Sequence, residues 1–390
     1  MSKINEGASE GTSWCTSSYI SARLQGLRCG LISTINNIIE FLPSPHSKMA
    51  KPRVLIAGAG AMGMITGYIL SLAGAEITFL VRPHRAEALN HPQVLYYYID
   101  NKLKEFKEYT YLTDPPQILD KEAYDFIVIT LDGAALKNEA GQNLVKTIGS
   151  AVRQSTARNT GIILGTVFLN IRSWFLEVSG LSEDQVALGW FTIRAYSTAA
   201  VTLPLHPPTD PELLSKASIA WIDNLGDGFG VDDSAPEVAN AFAKLYNSSG
   251  VSTCGITPKA QETLYMNPIF AMYAACALLD WPWFKDIDTQ GEIWRLAVAA
   301  AKEIQGLSIH GELGQQAAKT TTEASIAKRF ADIDAKLLPL DNPAFNRYHH
   351  GGKVNEQDTE HLRACVAFGE GEGKDLTALK ELIRRVESVS

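Results

Sequence analysis

The sequence predicts an α/β fold in which a doubly wound, mostly parallel sheet is followed by an all-helical domain. Three observations predict it. The strand-like run Val54–Ala57 enters Gly58-x-Gly60-x-x-Gly63 and a helix-patterned segment follows at once. Strand and helix patterns then alternate as far as Gly255. After Thr257 the strand signals almost vanish and apolar residues recur at helical spacing to the end.

Each element has its own warrant. RVLIA, Arg53–Ala57, is a mostly continuous apolar run, as a strand buried on both faces requires. AMGMITGYILSLAG reads as a helix stopped at Gly74. EITFLV, Glu76–Val81, is the second strand, and VLYYYIDNKLKEFKEYTYL is a hairpin of aromatic-rich arms turning at Asp100-Asn101. DFIVITL (Asp125–Leu131) and TGIILG (Thr160–Gly165) are further buried strands, with a helix around Leu144–Val152 between them. VALGWFTIRAYS, AVTLPL and ASIAWID are short β-prone segments, with HPPTDP and NLGDGFG as breaks. The helix APEVANAFAKLYNSSG and the strand VSTCG complete the α/β part. Thr257-Pro258 offers a helix opening, with a capping hydroxyl and proline at the first helical position. Asn267-Pro268 repeats that chemistry, so the helix is expected to restart there. The reading divides the chain into an extension over 1–48, a Rossmann-type domain over 49–255 and a helical substrate or dimerisation domain over 256–390.

The totals exclude several function classes. A net charge of −8 argues against a general nucleic-acid binder. Five cysteines, odd in number and without a CxxC pair, read as reduced thiols and not as a disulfide frame or zinc site. The longest apolar run, IFAMYAACALL, stops at Asp280, too short for a membrane span. The first residues are small and polar, Glu6 and Glu10 occupy the start, and no compact apolar block follows, so a secretory signal is not expected. Arg23 and Arg28 in an acid-free, Ser-containing stretch admit a mitochondrial presequence. A plain extension on a cytoplasmic protein is the preferred reading.

In the glycine turn, Gly58 permits the tight turn off the strand, Gly60 lets a pyrophosphate approach the backbone, and Gly63 lets the helix pack closely on the sheet. The helix start at Ala61 and Met62 then offers free N–H groups and the positive end of the dipole. The bland alternative is a tight structural turn. An NAD or FAD site usually has an acid at the end of the second strand; here the residues are Val81-Arg82-Pro83-His84-Arg85. Arg82 and Arg85 can face a 2′-phosphate, so NADP(H) is the expected cofactor, unless they are ordinary loop arginines.

With VLIAGAGAMG, the strand ending TFLVR, the hairpin, DFIVITL and the helical second half in this order, the chain resembles the ketopantoate reductase (2-dehydropantoate 2-reductase) family. The likeness runs from about Met49 onward and is motif-level in the second half. It implies a Rossmann domain, a helical domain similar to the C-terminal domain of 6-phosphogluconate dehydrogenase, and NADPH in the cleft between them. It also implies reduction of a 2-keto acid, with a lysine as general acid on the first helix of the second domain and asparagines four and eight residues on. Without a gap, Leu264, Pro268 and Met272 stand at those positions, and Lys259 lies more than one turn earlier. Asp132 replaces a frequent lysine, and Thr166 stands nearest to a usual Asn-Gly. The alkoxide left by hydride addition needs a proton donor or positive charge, which leucine, proline and methionine do not supply. They make an apolar wall suited to a bulkier, less charged substrate.

Gln261 and Asn267, a turn either side of Leu264, are weak candidates for polar substrate contact, with solvation or capping as the alternative. HHGGKVNEQDTEH offers Lys353, Asn355, Gln357 and Asp358 for a polar contact, and Lys353 is the third weak catalytic candidate. The pair His349-His350 reads as solvated loop, and no carboxylate at ligand spacing supports a metal. The aromatics of LLDWPWFKD are expected in the core or at a homodimer contact. Three functions follow in order: an NADP(H)-dependent reductase of a bulky, apolar carbonyl or imine; a non-redox cyclase or pericyclase of secondary metabolism on the same fold; and a nucleotide-binding protein without chemistry.

Overall fold

The structure, a computed structural model, describes residues 50–119, 123–155 and 159–389. The expected extension over 1–48 lies outside the described residues. The strands form where the apolar runs predict them. β1 (Arg53–Ala57), β2 (Glu76–Leu80), β5 (Tyr109–Leu112), β6 (Phe126–Ile129), β7 (Gly161–Leu164) and β8 (Val186–Phe191) lie parallel. β11 (Phe229–Asp232) runs antiparallel to β8, and β12 (Cys254–Thr257) parallel to β11. The order β12-β11-β8-β7-β6-β1-β2-β5 reverses at β1, so the crevice between the carboxyl ends of β1 and β6 is the topological switch point. β6 and β7 are buried along their whole length, as expected of strands covered on both faces. The cover comes from α1 (Ala61–Leu72), α2 (Gly133–Lys137), α3 (Glu139–Gln154), α4 (Ile171–Ser179) and α5 (Pro236–Asn247).

A second sheet, β4-β3-β10-β9, is built from β3 (Gln93–Tyr97), β4 (Lys102–Phe106), β9 (Arg194–Ser197) and β10 (Ile219–Ile222). The expected hairpin is therefore half right. Its arms are β3 and β4, but Tyr109–Leu112 leaves them after the exposed Lys107-Glu108 and joins the main sheet beside β2. There Thr110 and Thr78 share a hydroxyl hydrogen bond of 3.0 Å, and Tyr109 packs edge-on against Phe79. AVTLPL forms no strand. Pro204 has no N–H to give a ladder, and the segment makes only the single bridge Leu205–Leu340. Phe229-Gly230, the end of the NLGDGFG segment read as a break, opens strand β11, buried throughout, with Gly230 leaving the room that the Trp190 ring fills.

The remaining described chain is helical: α6 (Lys259–Leu278), α7 (Glu292–Gln305), α8 (Gly311–Thr320), α9 (Glu323–Leu337), α10 (Asn342–Tyr348), α11 (Asn355–Gly371) and α12 (Thr377–Glu387). Two expectations at α6 fail. Thr257 ends β12 instead of capping the helix; Pro258 is the capping residue, and the Lys259 N–H donates to Asp233 Oδ1 at 2.9 Å. Asn267-Pro268 does not restart the helix, because Pro268 sits inside one continuous α6. Burial of this helix on several sides outweighs the hydrogen bond that proline cannot make.

One apolar cluster runs from β1 and β6 through Phe168 and Phe175 to Phe270, Trp294 and Leu379. The sheet and the helices thus share a core, and Lys51–Ser390 is one compact unit. Phe284 of LLDWPWFKD belongs to this core, stacked on Phe330. No helix among the described residues is long and apolar enough to cross a membrane.

Candidate functional site

The glycine turn joins β1 to α1 at the switch point. Gly58 has φ +107, and a Cβ there would lie 2.8 Å from Thr130 Oγ1. At Gly63 a Cβ would lie 2.0 Å from the Gly58 carbonyl oxygen, so helix and turn touch backbone to backbone. Gly60 differs from both. Its φ is −73, and a Cβ would meet no atom within 4 Å. Nothing in the chain itself demands glycine at that exposed position. No side chain caps α1, and its first turn carries no acid. The N–H groups of Ala61 and Met62 therefore have no side-chain cap, the arrangement that receives phosphate. The register Ala57–Leu80 sets Arg82 beside this turn. Arg82 and Arg85 are exposed and make no ion pair among the described residues.

Along the same carboxyl edge, the Thr166 hydroxyl donates to the Leu131 carbonyl at 2.7 Å. It braces two strand ends against each other. Asp132 caps α2 by accepting from Ala135 N–H, and the Gly133 N–H donates to Gln357 Oε1 at 2.7 Å. That bond ties α11 to the sheet edge. Lys353 keeps solvent contact; desolvation lowers its pKa from the ordinary lysine value, and the Asp132 charge acts in the opposite direction.

The histidine pair is not a solvated loop. His349–Lys353 closes a π-helical turn, and His350 Nδ1 lies 2.7 Å from Asp358 Oδ2, with the ring stacked on Tyr273 at 3.6 Å. Desolvation pushes Asp358 up to about 8. It holds both imidazoles well below the usual histidine range, and the Arg194 charge adds to the effect. The sequence gives no sign of this, because Tyr273, Arg194 and Asp358 come from three distant elements. Among the described residues no group of His, Cys, Asp and Glu is set to hold a metal.

Leu264, Pro268 and Met272 do come together. They line a groove of about 310 Å³ with Tyr265, Ile269, Phe330 and residues of α7 and α8. Its lining comes from four helices and Thr321 in the link between two of them, with no residue from the strand ends. Its Ile333 end packs against the cluster holding Tyr196 of β9, just beyond the carboxyl end of β8. Gln261 and Asn267 do not converge. Gln261 is exposed at the helix start, whereas Asn267 is buried on another face with Nδ2 3.5 Å from His310 Nε2. The unbroken helix also spaces Lys259, Thr263 and Asn267 four residues apart. β12, however, runs away from the carboxyl edge, so Lys259 is exposed at the opposite side of the sheet. Arg329 was not singled out by sequence. It stands over the Tyr265 ring, Cζ 4.6 Å from the centroid, at the groove's rim.

The family model described as ketopantoate reductase PanE/ApbA matches residues 54–154. No curated protein sequence matches the chain. Among solved structures, the chain is similar to 2-dehydropantoate 2-reductase from Geobacter metallireducens GS-15, with a TM-score of 0.58 and 16% identity over 87% of this chain and 100% of that one. It is similar to a ketopantoate reductase, so described provisionally, from Ralstonia solanacearum MolK2, with a TM-score of 0.61 and 13% identity over 87% and 97%. D-mandelate dehydrogenase in complex with NADH gives a TM-score of 0.57 and 12% identity over 86% and 98%. The chain has the fold these proteins share.

Proposed function

We propose that this chain is a divergent member of the ketopantoate reductase family and works as an NADP(H)-dependent reductase. Its substrate is a bulky, apolar carbonyl or imine of secondary metabolism. Gly60 carries the cofactor reading: its missing side chain answers no demand of the fold and leaves the backbone open where a pyrophosphate would lie. The donor set fits the group. Ala61, Met62 and Gly63 would hold the pyrophosphate through N–H groups, and Arg82 with Arg85 would hold the 2′-phosphate. When bound, the cofactor supplies the hydride. The chain's own part is to bind and orient. Leu264, Pro268 and Met272 hold the apolar body and exclude water, while Gln357 and Thr166 fix the loops at the strand ends. Calorimetric titration with NADPH and NADH, followed by NADPH oxidation with a panel of aryl and branched ketones and imines, tests the reading. A protein that binds neither dinucleotide overturns it.

One observation favours a second reading, a cyclase or pericyclase without a redox step. The α6 residues of the groove include no lysine, histidine or carboxylate, and such catalysis needs shape more than proton transfer. Turnover that continues in cofactor-free protein, with product equal in mass to substrate, selects this reading.

A further inference from the structure

We propose that Arg329 makes the helical groove a site for an apolar molecule bearing a negatively charged oxygen. This rests on the reading of that groove as the substrate pocket. The apolar body lies on Leu264, Pro268 and Met272, and the guanidinium binds the anionic oxygen at the rim.

The argument begins with the groove's polar inventory. Arg329 is the charged residue of the described lining, which holds no carboxylate. The aliphatic hydroxyls of the lining are already engaged, which leaves the Tyr265 phenol, beneath Arg329, as the other polar group at the rim. Thr320 donates to the Gln316 carbonyl at 3.2 Å, Thr321 to Gln305 Oε1 at 3.1 Å, and Ser325 to the Thr322 carbonyl at 2.8 Å. Lys328, one residue away, is paired with Asp332 at 2.8 Å. Arg329 has no ion pair among the described residues, only the face of Tyr265. The Arg329 guanidinium donates to no acceptor among the described residues, and its N–H edge matches a planar or developing oxyanion. Guanidinium does not give up its proton near neutral pH, so Arg329 binds or stabilises the negative oxygen without protonating it.

Two fluorescent probes with one aromatic body test this on the full chain: anilinonaphthalene sulfonate, an anion, and phenylnaphthylamine, which is neutral. Arg329→Gln is expected to weaken the anionic probe about ten-fold and leave the neutral one unchanged. Arg329→Lys should restore part of the difference, and Tyr265→Ala should weaken both probes. Equal effects of Arg329→Gln on the two probes, or none on the anion, overturn the proposal. Arg329 is exposed, so unchanged thermal melting is expected and checks that the fold is intact. NADPH titration of the same proteins separates the two readings. Loss of NADPH binding in the wild type removes the reductase, whereas the contrast between probes decides the anion site.

Discussion

Gly60 and Gly63 stand three residues apart in one turn, yet the chain constrains them differently. Gly63→Ala drives a Cβ into the Gly58 carbonyl and should destabilise by about 1–3 kcal/mol. Gly60→Ala meets nothing and should leave stability within about 0.5 kcal/mol while weakening NADPH about ten-fold. Thermal melts and titration of the two variants check this, and equal destabilisation would remove the case for a ligand at Gly60. Arg82→Ala should weaken NADPH about ten-fold and NADH little, as a 2′-phosphate contact requires. The Asp358–His350 pair predicts a pH effect with a worked sign. Asp358 is raised to about 8, so its contribution to stability is present at low pH and is lost as pH rises through about 8. His350 is depressed, so its contribution is present above the ordinary histidine pKa and lost as pH falls. Between about pH 6.5 and 8 only the aspartate of this pair still changes. Wild-type stability should therefore fall across that window relative to Asp358→Asn in paired denaturation curves. Equal slopes would show that Asp358 is already ionised in the native state.

At the scale of elements, α6 carries the most information. Its proline leaves the Leu264 carbonyl without the helical N–H four residues on. Pro268→Ala should raise the melting temperature, by an amount equivalent to roughly 1–3 kcal/mol. It should also reshape the groove and weaken the neutral probe. A lower melting temperature would mean that the surroundings are built for the proline. Local pattern locates this helix but misses its continuity, because an Asn-Pro pair looks the same as a cap and as an interior interruption. What settles the matter is packing against α7, α11 and α12. β11 was hidden in the same way. Phe-Gly-Val-Asp, set among glycines and aspartates, reads as turn until β8 and β12 supply its hydrogen-bond partners.

For the whole molecule, the continuous core has a consequence. Phe168, Leu136 and Leu144 on the sheet side share a cluster with Phe270, Trp294 and Leu379 on the helical side. A fragment ending at Gly255 would expose that surface, so we expect it to aggregate. A chain beginning at Met49 keeps the compact unit and should melt and bind NADPH as the full chain does. Expression of both, followed by gel filtration and melting, checks this; a soluble, cooperatively melting 49–255 fragment would instead establish two independently stable domains.

The sequence by itself determined the buried parallel strands β1, β2, β6 and β7, the glycine turn with Arg82, and the change to helices after Thr257. Each is a local signal: an apolar run, a fixed glycine spacing, a period near that of the α-helix. It also spaced Leu264, Pro268 and Met272 four residues apart, a spacing that shares one helical face once the helix runs unbroken through Pro268. Only the tertiary structure decided which wall that face meets, that Arg329 stands at its rim, and that His350 packs on Tyr273 and Asp358 while His349 stacks on Phe345. Those contacts join residues far apart in the chain, and no local pattern encodes which distant surface will cover a given face.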